Sequence, residues 1–358
     1  MKRFFLVLLL IILVFIGFFL ASEYLRKTRI ERIERDYTNQ SKRLAEIIDN
    51  ELTNLKVYPR DVLEKDEEML CKGKTRWLHI TKKVLVPGSH LLDDYKRGIS
   101  KAIQKVNVGI IDSSRSDKSL RLDIGIEDFP FYSLTLTKVP SVGIIIDDFG
   151  FRKKANNTFL QMELPLSFSI LPGRPISSII AKEAERKGFE TMLHLPMEPH
   201  GYPEKNPGEY AIMSNMSDKE IIRQTLENIK NLPGIIGVNN HMGSKVTEDK
   251  RIMSTVLKEL KKEGLFFVDS RTSRNSVAYK VARELGVGSG ENRVFLDNER
   301  DIDYIKERIG LLADIALKEG GAIGLGHVNE ETARAIKESL PLLKDKGVRL
   351  VYVSQLVK

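Results

Sequence analysis

The sequence predicts an α/β protein whose larger part, residues 139–358, is a (β/α) barrel of about seven or eight parallel strands, preceded by a membrane segment and a small α+β module. Three observations predict it. Short apolar runs alternate with amphipathic stretches from Val139 onward. Residues 57–138 instead show the two-residue alternation of a half-buried sheet around one helical period. The amino end opens with an uncharged stretch long enough to cross a bilayer.

Met1-Lys2-Arg3 leads into Phe4–Phe19, and with Leu20 and Ala21 this run reads as a membrane segment over residues 1–22. No small residue stands two before Ala21 or Ser22, which favours an uncleaved anchor over a cleaved signal. Lys2 and Arg3 face Arg26, Lys27, Arg29, Arg32 and Arg35 across it, so the positive-inside rule alone does not put the body outside the cell membrane. Residues 23–56 mix charge signs around Leu25, Ile30, Ile33, Leu44, Ile47, Ile48 and Leu52, as in a helical stalk.

Within 57–138, Leu78–Val86 alternates as a strand, Leu91–Val106 has a helical period, and Leu120–Ile126 and Tyr132–Thr137 alternate again, giving a βαββ module. Nothing in it carries chemistry, and His79 and His90 read as structural or surface histidines. The formal charge of +8 is spread thinly, with no basic run interleaved with aromatics, which argues against a nucleic-acid partner. The single cysteine, Cys71, excludes an intrachain disulfide.

Eight runs are expected as barrel strands: Val142–Ile146, Leu166–Leu171, Phe189–Leu195, Ile235–Val238, Leu265–Val268, Arg293–Leu296, Ala322–Leu325 and Arg349–Val353. Ser217 with Glu220 forms a capping box, Thr247 and Asn329 are candidate N-caps, and Gly188, Gly264, Gly286, Gly320 and Gly347 mark helix ends. An open doubly wound sheet is the competing arrangement.

What stands at the carboxyl ends of these runs points to chemistry. They finish in Asp147-Asp148, in His194 followed by Glu198, in Asn239-Asn240-His241, in Asp269-Ser270-Arg271, in Asp297 and in His327. In either α/β arrangement the loops after the strands build one rim, so these groups should converge. Asp269 and Asp297 have an alternative reading as helix N-caps. Imidazoles with a carboxylate suit a divalent ion, most often Zn2+. Of two adjacent aspartates, one can ligate the ion while the next takes a proton from its water, and His327 is placed to protonate a leaving amine.

Ile144–Gly150 (IIIDDFG) resembles the opening motif of polysaccharide deacetylases. With LHLPMEP (193–199), NNHMGS (239–244), FFVDSRT (266–272), RVFLD (293–297) and IGLGH (323–327), the chain over about 140–358 resembles the divergent polysaccharide deacetylase family of the bacterial envelope. The resemblance implies a distorted (β/α) barrel and metal-dependent removal of acetyl from an N-acetylated sugar. Asp147 then matches the general base, Asp148 the metal-binding aspartate and His327 the catalytic acid. His194 is the first histidine of a His-x-x-x-His pair whose second position is Glu198 here, and His241 is the candidate for the missing nitrogen. Glu198, Asn240, Ser244, Asp269, Arg271 and Asp297 are expected to line the substrate, while His200, in a Gly-Pro-rich loop, reads as a surface residue. The expectation is a membrane-anchored, Zn2+-dependent carbohydrate deacetylase with its body outside the cytoplasmic membrane. The alternative is a non-catalytic envelope protein binding glycan or a partner through the same cleft.

Overall fold

A computed structural model describes residues 33–152 and 154–358. The expected membrane segment lies outside these residues, and no helix within them is long and apolar enough to cross a membrane.

The smaller unit is a six-stranded sheet with two helices packed on it. Its strands are β1 (Arg35–Asp36), β2 (Val62–Lys72), β3 (Thr75–Pro87), β4 (Gly109–Arg115), β5 (Ser119–Ile126) and β6 (Phe129–Val139). Helix α1 (Thr38–Asn54) buries Ser41, Leu44, Ala45, Ile48 and Leu52, spaced as one helical face, and α2 (Leu92–Ile103) buries Leu92, Tyr95, Ile99 and Ile103. These residues share one core with Ile80, Val84, Leu122, Ile124, Leu134 and Leu136 of the sheet. The helix expected in a stalk over 23–56 therefore belongs to this core, because its apolar stripe has a sheet to cover. The expected βαββ unit was also too small. Strand β2 pairs antiparallel with β3 along its length, and β4 pairs with β5, yet both are exposed at edges. With little to bury on either face, neither shows the alternation that reveals a strand, and the charged run Glu64-Lys65-Asp66-Glu67-Glu68 suits an edge that must not pair with another chain.

The larger unit closes into a barrel. Strands β7 (Ser141–Phe149), β8 (Ser167–Ile170), β9 (Glu190–Met197), β10 (Gly237–Met242), β11 (Phe266–Asp269), β12 (Ser289–Phe295) and β13 (Gly321–His327) follow one another in parallel, and β13 returns to β7 in register from Gly321↔Ser141 to His327↔Asp147. This closure excludes the open sheet. Strand β14 (Arg349–Val351) is a partial eighth member: it pairs with Ser141–Gly143 of β7, below the point where β8 pairing begins at Ile145. The helices α3 (Lys154–Leu160), α4 (Ser177–Arg186), α5 (Asp218–Lys230), α6 (Lys250–Lys262), α7 (Ala278–Leu285), α8 (Ile302–Glu319), α9 (Glu330–Glu338) and α10 (Leu340–Asp345) belong to this unit. Ser217 and Asn329 cap α5 and α9 as expected. Thr247 does not cap α6; it lies in a 3-10 turn, and Asp249 accepts from the Ile252 amide instead. All five glycines expected at helix ends have positive φ, the conformation that stops a helix cheaply.

Side-chain parity sorts the strands into two layers. Ile144, Ile146, Leu193, Leu195, Val238 and Phe267 belong to the core shared with the helices, while Ile145, Met192, Val268, Ile323 and Leu325 fill the barrel interior together with Val353 and Leu356. Continuing the inward parity by two residues places Asp147, His194, Ser270 and His327 above this aliphatic floor.

The small unit covers the opposite end of the barrel, beside the first residues of its strands. A Cβ on Gly88 would stand 2.9 Å from the Gly320 carbonyl oxygen, so the two backbones meet without side chains. Asp61 is fully buried there; it receives Arg349 Nη2 at 2.7 Å, Gln355 Nε2 at 2.9 Å and the Tyr58 amide at 2.7 Å. Asp61→Ala should destabilise the protein by about 3 kcal/mol, since it strands a guanidinium in a half-closed interface. Glu338→Gln, which removes the surface pairs with Arg334 and Lys306, should leave stability nearly unchanged. Denaturant midpoints of the two variants, compared with wild type, check this.

Candidate metal centre

Asp147 is the last residue of the inward parity on β7, and it is almost wholly buried. Asp148 follows with φ of 67°, a left-handed backbone that asparagine and aspartate tolerate better than other side chains. The turn and the accompanying register shift between Ile146 and Phe149 bring the second carboxylate into the rim beside the first instead of sending it to the outer face. Met242, at the end of β10, and Arg271, two residues past β11, also have positive φ, of 54° and 55°.

Three of the expected residues meet there. His194 Nε2 and His241 Nδ1 are 3.1 Å apart, and each is 3.4 Å from Asp148 Oδ1. That carboxylate oxygen is buried without a hydrogen-bond partner, which is what a ligand atom facing a shared centre looks like. A tetrahedral ion with bonds of about 2.1 Å sets its ligands roughly 3.4 Å apart, so the three atoms are spaced to share one. The donors fit Zn2+ or a similar borderline cation and leave a coordination position for water. The imidazoles hold the Asp148 carboxyl far below the usual carboxylate range, although its burial acts the other way. Burial holds His241 toward its neutral form.

The group behind these ligands is Asn239, which sequence reading passed over in favour of Asn240. Its Oδ1 accepts from Ser169 Oγ and from His194 Nδ1, at 3.2 Å in the second case. Its Nδ2 donates to Asp147 Oδ1 at 2.9 Å and to Ser270 Oγ at 3.2 Å. The bond to His194 places the proton on Nδ1 and leaves Nε2 as a lone pair, the tautomer a metal needs. Parity held the missed signal: Asn239 and His194 are register partners and face inward together.

On the other side, His327 Nδ1 donates to Asp297 Oδ1 at 2.8 Å, and Asp297 Oδ2 accepts from the His327 amide at 2.7 Å, from Thr332 Oγ1 at 2.6 Å and from Asn329 Nδ2 at 3.1 Å. Asp297 is thus tied to His327. Burial disfavours charge on His327, but the Asp297 carboxylate, reinforced by Asp147 and Asp148, outweighs it and raises the imidazole pKa to about 9. Asp147 itself is pushed up by burial, against the pull of His194, His327 and Asn239.

The remaining expected residues are engaged elsewhere. Glu198 accepts from Lys245 Nζ and from the Ser214 amide, both at 2.6 Å, and fixes two loops. Asn240 ties the ends of β10 and β11 through the Ser270 amide and the Met242 carbonyl. Ser244 accepts from the His200 amide, and His200 is exposed against Glu248. Asp269 has the outward parity and binds Ser276 Oγ at 2.7 Å and the Arg271 amide at 2.8 Å. Arg271 donates to the Ser276 carbonyl.

Comparison with known proteins agrees with this architecture. The chain is 34% identical over 217 residues to the uncharacterized protein YibQ of Escherichia coli (strain K12), covering 60% of this chain and 67% of that protein. It is 31% identical over 215 residues to an uncharacterized protein of Haemophilus influenzae, covering 60% and 76%. The crystal structure of an uncharacterized protein from Agrobacterium tumefaciens C58 superposes with a TM-score of 0.59 at 25% identity, over 62% of this chain and 90% of that one. The description of divergent polysaccharide deacetylases matches residues 144–357. With the closed barrel and its rim of aspartates and histidines, this match shows that the chain belongs to the divergent polysaccharide deacetylase family.

Proposed function

We propose that the protein is a metal-dependent hydrolase that removes acetyl groups from an N-acetylated glycan of the cell envelope. The observation that carries this reading is the buried, unpartnered Asp148 Oδ1 facing two imidazole nitrogens, with a buried carboxylate on one side and a charged imidazole on the other. Asp148, His194 and His241 would hold a divalent ion, most simply Zn2+, which would supply Lewis acidity toward the acetyl carbonyl and water. Asp147 accepts the proton of the attacking water; its buried carboxylate, steadied by Asn239, is a stronger base than an exposed one. His327, kept protonated by Asp297, donates to the amine as the carbon–nitrogen bond breaks. Asn239 and Asp297 act as positioning residues: Asn239 fixes the His194 tautomer, and Asp297 orients His327 and holds its proton. A glycan-binding protein without turnover is the second reading. It is favoured by Glu198, which occupies the second position of the His-x-x-x-His motif but is spent on Lys245 and Ser214.

The body is proposed to lie outside the cytoplasmic membrane, anchored by Phe4–Ala21, where an envelope glycan is reached; the support is the uncharged run itself. Reporter fusions after Lys358 should be active on the outer side, and activity confined to the cytoplasm would refute the orientation.

Asp147→Asn should lower acetate release from N-acetylated oligosaccharides by about 10²- to 10⁴-fold while the ion stays bound. Asp148→Asn and His194→Ala should instead lose the ion, measured as Zn2+ per chain after dialysis. A wild type that binds glycan and releases no acetate with any divalent metal would favour the second reading.

The pH profile tests the acid. His327 is protonated below about 9 and neutral above it, so the rate should fall as pH rises through that region. In Asp297→Asn the stabilising carboxylate is gone, and the alkaline limb should move to lower pH. An unmoved limb would remove His327 from the role.

A further inference from the structure

One cation in the paired loops after β7 and β8 lacks the carboxylate that its partial burial leads one to expect. Arg174 lies in the loop after β8. Its Nε is buried without a hydrogen-bond partner, and among the described residues its guanidinium meets no carboxylate. The group is held instead by packing. Its Cζ stands 5.2 Å from the centre of the Phe151 ring, a Cβ on Gly150 would be 3.0 Å from the Arg174 Cβ, and a Cβ on Gly208 would be 2.5 Å from its Nη2. The loops after β7 and β8 are tied by the Leu171 amide to the Phe149 carbonyl at 2.9 Å and the Ile176 amide to the Gly150 carbonyl at 3.2 Å. Gly150 is two residues beyond Asp148, a span of at most about 7 Å. Phe151 is 41% exposed, so its ring meets solvent as well as the arginine.

A guanidinium that is partly buried and unpaired costs stability, and the planar fork matches a carboxylate through two parallel hydrogen bonds. A ring that holds the arginine on its face and still meets solvent can also receive the apolar face of a sugar. We propose that Arg174 and Phe151 form a subsite for a carboxylate carried by the sugar, so that the preferred substrate is an N-acetylated sugar acid, not a neutral N-acetylhexosamine. This inference rests on the deacetylase reading for the identity of the sugar, and on packing alone for the anion.

The test is calorimetric binding of three probes to the purified full chain: N-acetylmuramic acid, N-acetylglucosamine, which lacks the carboxylate, and N-acetylglucosamine 6-phosphate. Wild type should bind the acid tightest. Arg174→Gln should weaken that binding roughly 10- to 100-fold and leave the neutral sugar unchanged. Arg174→Lys should restore only part, since it returns the charge without the fork. Phe151→Leu, which keeps bulk and loses the aromatic face, should weaken both sugars. Equal binding of acid and neutral sugar by wild type, equal losses for both in Arg174→Gln, or tighter binding of the phosphosugar would each overturn the assignment. Acetate release measured alongside separates the two claims: an acid preference lost in Arg174→Gln stands even where no acetate is released, and that result would sink only the deacetylase reading.

Discussion

A single carboxamide organises the chemical end of the barrel. Asn239 has one acceptor atom and one donor group, and spends both on neighbours from other strands: Ser169 and His194 on one side, Asp147 and Ser270 on the other. The candidate ligand and the candidate base are therefore set by the same planar group, and neither rotates without disturbing the other. Aspartate in its place would repel Asp147, and leucine would take the hydrogen-bond partner from His194 Nδ1 and from Asp147 Oδ1, a cost of about 1–3 kcal/mol for each. The aliphatic layer beneath, from Ile145 to Leu325, excludes water from below and makes those bonds count.

The opposite end of the barrel is shut by different means. There the accessory unit supplies Asp61, Tyr58 and Gly88, and the chain's own last residues supply Val353, Gln355 and Leu356. A Cβ on Gly143 would stand 3.0 Å from both Leu356 Cδ1 and Val353 Cγ2, so the strand has little room for a side chain there. With the floor plugged and the helices packed all around, polar residues gather at the upper rim, where strand ends meet solvent.

Much of this was legible in the sequence because burial leaves periodic traces. Continuous apolar runs announced strands buried on both faces, and the glycines after helices announced their stops. Asp148, His194 and His241, which the structure brings together, stood out because histidines and aspartates at strand ends are conspicuous. Asn239, named at its strand end, was given no role because asparagine is common in loops and its pairing with His194 appears only in the register of β9 and β10. Asp269 was overvalued for the same reason, since its outward parity commits it to Ser276. Strands β2 and β4 left no trace because an exposed edge has no dry face to record, and α1 resembled a stalk because the sheet it covers lies later in the chain. Arg174 was invisible, for an unpaired charge is defined by what surrounds it in space.

The left-handed residues at the rim have one more implication. Asp148, Met242 and Arg271 each occupy a conformation that costs an L-residue about 1–2 kcal/mol relative to the right-handed one. All three lie at or just past the carboxyl ends of strands that border the candidate metal centre, so the surrounding barrel carries the strain. Glycine at Met242 would relieve it and thereby free the segment that carries His241. Thermal robustness and a sharply defined ligand geometry thus make opposite demands on this position, and a methionine there serves the second.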